Sequence, residues 1–153
     1  MNPERVLLVD DETVFADNMA TLLKARGYRV KATYSGEAAI RELEENQYDV
    51  LVLDLKMPGL DGIATLKEIK KLELFIETLI LTGHGAVDSA LEAMKLGAYD
   101  YLTKPCEIDE LVEKIQGAGQ KKAEEESKDR EEKVQKIIES PRDAFRLFSR
   151  KKK

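Results

Sequence analysis

Five short runs of branched and leucine-rich residues, each of strand length, alternate along this chain with segments whose apolar residues recur at helical spacing. The runs fall at 5–9, 28–34, 50–53, 78–81 and 98–102. Between them, Phe15, Met19, Leu22 and Leu23 precede Gly27, and Val87, Ala90, Leu91 and Met94 precede Gly97, so two amphipathic helices each end at a glycine suited to a left-handed C-terminal cap. Further helical patterns at 35–46, 62–72 and 107–116 complete a strand–helix unit repeated five times. Nearly continuous apolar strands separated by helices imply a parallel sheet buried on both faces, a doubly wound α/β fold. In such a fold right-handed crossovers bring the carboxyl ends of the strands to one edge, and ligands bind there near the point where the strand order reverses.

That edge can be read directly. Asp10 and Asp11 follow the first run, Asp54 the third, Thr82 the fourth and Lys104 the fifth. An aspartate at a strand exit is by itself often only a turn or cap residue. Three carboxylates at one edge repel one another, each close pair by about 4 kcal/mol at roughly 4 Å with an effective dielectric near 20, so they call for a cation. An all-oxygen donor set points to Mg²⁺, with Mn²⁺ able to substitute. A carboxylate, a divalent metal, a lysine and a hydroxyl together suit phosphoryl transfer. Asp54 would attack phosphorus, the metal and Lys104 would neutralise the equatorial oxygens, and Thr82 with nearby backbone N–H groups would receive the group.

Charge separates the chain into two parts. Residues 1–120 carry 13 Lys and Arg against 22 Asp and Glu, a balance of −9, whereas residues 121–153 carry 12 against 8, a balance of +4. An acidic body argues against nucleic acid as a direct ligand, because phosphate backbones are held by clustered Lys and Arg. The single cysteine, Cys106, allows no internal disulfide. With neither a signal-peptide pattern nor an apolar span of the roughly 20 residues a membrane helix needs, a cytoplasmic location without membrane insertion is expected. We expect residues 1–120 to form the domain and 121–153 a charged helical tail or linker. Gly117 and Gly119 are expected to break or fray the last helix of the domain. The stretch 121–136 is too polar to pack as a core helix, although Val134, Ile137, Ile138, Phe145, Leu147 and Phe148 could form an amphipathic docking or dimerising element.

The run Leu8-Val9-Asp10-Asp11-Glu12, the run from Asp54 through Lys56, Met57, Pro58 and Gly59 to Gly62, the exit Leu81-Thr82-Gly83, and Lys104-Pro105 together resemble the receiver domain of two-component response regulators over about residues 3–118. The spacing among the four elements matches as well, which makes the signal far more specific than a lone motif. Thr82-Gly83-His84-Gly85, followed by the run from Glu92 to Tyr101, is most similar to receivers of the nitrogen-regulation type.

The resemblance implies a flavodoxin-like five-stranded parallel sheet of order 2-1-3-4-5 with helices on both faces. It also implies that Asp11 and Asp54 bind Mg²⁺ directly, that Asp10 helps through water and that the Lys56 carbonyl is a further ligand. Thr82 and Lys104 would hold the phosphoryl group, the Lys104–Pro105 bond would be cis, and Tyr101 would be the aromatic switch. Lys56 and His84, two residues beyond Asp54 and Thr82, stand where side chains of similar receivers crowd attacking water, so they are expected to tune the lifetime of the phosphorylated state.

The implied function is a phosphoacceptor switch, an enzyme only in its own phosphotransfer and autodephosphorylation. Its expected partners are a sensor histidine kinase or histidine phosphotransfer protein and a downstream protein target, with dimerisation through the fourth helix, fifth strand and fifth helix. A stand-alone receiver is the leading expectation, and the excised receiver of a longer transcriptional regulator the alternative. A dehalogenase-like aspartyl-phosphate phosphatase fits poorly, because it would want an Asp where Lys56 stands.

Overall fold

The computed structural model describes residues 4–57, 61–83 and 87–142. Strands β1 (Arg5–Val9), β2 (Arg29–Thr33), β3 (Val50–Leu53), β4 (Glu77–Thr82) and β5 (Asp100–Thr103) alternate with helices α1 (Thr13–Ala25), α2 (Gly36–Glu45), α3 (Gly62–Lys71), α4 (Val87–Lys95) and α5 (Ile108–Glu139). All four strand pairings are parallel, in the order β2-β1-β3-β4-β5. The order reverses between β1 and β3, whose register pairs Val9 with Leu53, so the residues following these two strands flank the switch point.

Strand alternation divides the core into two layers. Val6 and Leu8 of β1, Val50 and Val52 of β3, and Leu79 and Leu81 of β4 face one side, where Met19 and Leu23 of α1 and Leu111 and Ile115 of α5 cover them. Leu7, Val9, Leu51, Leu53 and Ile80 face the other side, against Ala39 and Leu43 of α2, Leu66 and Ile69 of α3, and Ala90 and Ala93 of α4. The central strands β3 and β4 are buried throughout because both faces are covered, whereas β2 at the sheet edge alternates exposed and covered residues.

Local chemistry sets the helix ends. Ser35 accepts from the Ala38 N–H at 3.1 Å and Asp61 from the Ala64 N–H at 2.8 Å, capping α2 and α3. The glycines after α1 and α4 are left-handed, with φ of 96° at Gly27 and 100° at Gly97. The Gly27 N–H donates to the Lys24 carbonyl and the Tyr28 N–H to that of Leu23, and Gly97 and Ala98 repeat this pattern on Met94 and Ala93.

One expectation is corrected here. Gly117 and Gly119 neither break nor fray α5, which runs on to Glu139. They are points of close approach: a Cβ at residue 117 would meet the Tyr99 hydroxyl, and one at residue 119 would lie 2.7 Å from Glu4 Cγ. Beyond them Lys121 pairs with the buried Glu77 at 3.2 Å and Lys122 with Asp49 at 2.8 Å. These contacts outweigh a cost of about 1 kcal/mol per helical glycine.

The chain divides into two compact units, residues 1–122 and 123–153. In the second unit no described side chain is buried. Ion pairs one turn apart, Lys133 with Asp129 at 2.7 Å and Arg130 with Glu126 at 3.6 Å, support its helix. Val134 and Ile138 are exposed, whereas Phe145, Leu147 and Phe148 lie outside the described residues. Among the described residues, no helix is long and apolar enough to cross a membrane.

Candidate functional site

At the carboxyl edge of the sheet the ends of β1, β3, β4 and β5 deliver four side chains into one pocket. Asp10 directly follows β1, Asp54 follows β3, Thr82 is the last residue of β4, and Lys104 directly follows β5. Asp10, Asp54 and Thr82 are 5%, 4% and 1% exposed. Burial at this depth demands partners, and each has them. The Thr82 hydroxyl donates to Asp54 Oδ1 at 2.9 Å, and the Lys56 backbone N–H donates to the same oxygen at 3.2 Å. The other oxygen, Oδ2, faces Lys104 Nζ at 3.4 Å.

Lys104 is the hub. Its ammonium lies 2.6 Å from Asp10 Oδ2 and 2.9 Å from Glu12 Oε1 as well as 3.4 Å from Asp54 Oδ2. Burial alone would lower its pKa. The hydrogen bonds to Asp10 and Glu12 and the charges of Asp10 and Asp54 outweigh burial and hold it above the ordinary lysine value. Burial, reinforced by the Asp54 charge, pushes Asp10 up against the opposing pull of Lys104 and the Glu12 N–H. The Lys104–Pro105 bond is cis.

Oxygens of Asp10, Glu12 and Asp54 all lie within 4.8 Å of one another. Three hard anionic donors at this spacing, two of them buried, fit a small divalent cation that keeps some of its water. In the structure Lys104 supplies the positive charge among them. The third carboxylate of the cluster is Glu12. Asp11, which the sequence singled out, is half-buried beside it and outside that cluster. The Asp-Asp-Glu run signals an acidic turn without telling which of its members reaches inward. A long, otherwise exposed glutamate spanning from the turn to Lys104 follows only from the folded geometry.

Lys56 is exposed, and its contact with Asp54 is through the backbone. Tyr101, in β5, is 38% exposed. His84 lies outside the described residues. Phe15, legible in the sequence only as a core position of α1, lies with its ring centre 4.3 Å from Lys104 Nζ.

A doubly wound sheet with an acidic pocket and a lysine at its switch point defines a class of signalling domain, and comparison identifies the class. Residues 6–116 match the family model of the response regulator receiver domain, so the chain belongs to that family, the receiver of two-component systems. It is 42% identical over 113 residues to the transcriptional regulatory protein ZraR of Salmonella typhimurium, covering 74% of this chain and 26% of that protein. It is 40% identical over 113 residues to the transcriptional regulatory protein FixJ of Bradyrhizobium diazoefficiens, covering 74% of this chain and 55% of that one. The chain thus spans about a quarter of the ZraR relatives' length. A response regulator receiver domain protein from Clostridium thermocellum superposes with a TM-score of 0.74 at 38% identity, over 78% of this chain and 97% of that one. NtrX from Brucella abortus gives 0.77 at 28% identity, over 82% of this chain and 29% of that chain. The matched regulators include the nitrogen-regulation type.

Proposed function

We propose that this receiver is a Mg²⁺-dependent phosphoacceptor that takes a phosphoryl group on Asp54 from a phosphohistidine of a sensor kinase or phosphotransfer protein. The observation that carries the reading is the division of labour on one buried carboxylate. Oδ1 of Asp54 is held by the Thr82 hydroxyl and the Lys56 N–H, while Oδ2 is only loosely engaged by Lys104. A carboxylate oriented through one oxygen leaves the other to attack. The new bond joins an Asp54 oxygen to phosphorus as the phosphorus–nitrogen bond of the donor breaks, and the imidazole leaves with the electron pair.

Asp10, Asp54, the Lys56 carbonyl and either Asp11 or Glu12 would hold the ion. Bound there, Mg²⁺ would supply positive charge beside the phosphoryl oxygens. Lys104 meets another of those oxygens, and Thr82 shifts its hydroxyl from the carboxylate to the phosphoryl group. The test is phosphate incorporation from a small phosphodonor with and without Mg²⁺, in this chain and in Asp54→Asn. Incorporation is expected only when both Mg²⁺ and Asp54 are present. Labelling that survives loss of either would sink the reading.

The inward pull on Thr82 would open space beneath β4 for Tyr101 and remodel the face made by α4, β5 and α5, where a target or a second copy would tell the two states apart. In Thr82→Ala the phosphate should still be accepted, but the phosphorylation-dependent NMR shifts of Tyr101 and the β5 amides should be lost. Unchanged shifts in that variant would rule this route out.

A further inference from the structure

The Lys104 ammonium has three N–H donors and three carboxylate neighbours, Asp10 and Glu12 closely and Asp54 loosely, so each donor already faces a carboxylate before any phosphoryl group arrives. Its fourth contact is the ring of Phe15, 4.3 Å from Nζ to the centre and well within the range of a cation–π interaction. Phe15 is half-buried on the first turn of α1, three residues after Glu12, and packs on the layer that includes Val6 and Leu8. The ring is therefore fixed by the core while its face meets a charge. It also lines, with Asp10 and Asp54, a small cavity under the site.

We propose that Phe15 is a positioning residue for phosphoryl transfer, a seat for Lys104 on which the ammonium stays while its hydrogen bonds are exchanged. Contact with a phosphoryl oxygen on Asp54 requires Lys104 to give up at least one carboxylate acceptor, and the exposed Glu12 is the one most easily solvated in exchange. A ring face consumes no N–H donor and sets no N–H direction, so this interaction persists through the exchange, which a fourth carboxylate could not provide. Without the ring the ammonium is free to follow Glu12 toward water, and fewer encounters find it in place when phosphorus is attacked.

The inference rests on the phosphoacceptor reading, and its test separates the two. The rate of phosphate uptake from a small phosphodonor in Mg²⁺ is measured for the full chain, for Phe15→Leu, for Phe15→Trp, and for chains carrying mono-, di- and trifluorophenylalanine at residue 15. Thermal unfolding of each is recorded alongside. Fluorination withdraws electron density from the ring face at nearly constant shape, so it weakens the cation–π contact and leaves packing in place. The expected result is a stepwise fall in rate with each added fluorine at unchanged unfolding temperature, a fall of about fivefold in Phe15→Leu, and recovery in Phe15→Trp. A flat fluorine series overturns the inference, whether Phe15→Leu is slow or not, because the ring then acts through bulk alone. A wild-type chain that takes up no phosphate overturns the phosphoacceptor reading and this one with it.

Discussion

Lys104→Met is expected to destabilise the metal-free protein by about 3 kcal/mol, and Mg²⁺ is expected to remove most of that loss. Lys104 is the charge that Asp10, Glu12 and Asp54 share at 2.6, 2.9 and 3.4 Å. Methionine keeps the length and apolar character of the stem but leaves three carboxylates facing one another, two of them buried. Each close pair then costs up to about 4 kcal/mol at an effective dielectric near 20. Relaxation returns part of this, since Glu12 is exposed and can turn to water, and Asp10 can take up a proton. The net loss should therefore fall at the lower end of what breaking a buried pair costs. Urea denaturation in EDTA and in saturating Mg²⁺ measures both halves. The gap between wild type and variant should be large in EDTA and small in Mg²⁺, because the divalent ion replaces the missing charge. A gap equal in the two conditions would show that the lysine and the ion do not share these carboxylates.

What the sequence could and could not convey follows from the physics of each feature. The alternation of apolar runs was legible because a two-sided parallel sheet needs strands that are mostly apolar and helices with one apolar stripe, and both leave a trace in the sequence. Gly27 and Gly97 were legible for a similar reason, since a left-handed residue after a helix leaves a local mark in the sequence. The meeting of Asp10, Asp54, Thr82 and Lys104 followed from topology alone, because all four stand at strand ends. Gly117 and Gly119 misled because a helical glycine reads the same whether it ends a helix or admits a neighbour, here Tyr99 and Glu4. Glu12 and Phe15 escaped for another reason. Both act on Lys104 from across the chain, 92 residues away for Glu12, and nothing local distinguishes an exposed glutamate or an apolar helix position with such a partner from one without. The buried Glu77 belongs with them, because its counter-charge, Lys121, lies on α5.

Gly62→Ala is a case where helix propensity and packing predict opposite signs, and packing should prevail. Residue 62 opens α3, where alanine in place of glycine would by propensity alone stabilise by up to about 1 kcal/mol. A Cβ there would lie 2.6 Å from the Asp54 carbonyl oxygen and 3.0 Å from the Leu55 carbonyl carbon, and closer still to Leu55 Cα. All three are backbone atoms, so no side chain can swing aside. Either the start of α3 or the segment after β3 must move, and the Gly62 N–H bond to the Leu55 carbonyl at 3.1 Å ties the two together. Overpacking of this kind costs roughly 1–3 kcal/mol, and we expect about 2 kcal/mol net in urea denaturation after the propensity gain. Gly83→Ala is the internal control: it directly follows Thr82 at the end of β4, yet a Cβ there meets nothing within 4 Å, so its cost should stay below about 0.5 kcal/mol. The displaced segment carries Asp54 and the Lys56 N–H that orients it, so Gly62→Ala should also slow phosphate uptake at temperatures where the chain remains folded. Equal stability of the two alanine variants would mean that the approach of α3 to the Asp54–Leu55 backbone is looser than this packing requires.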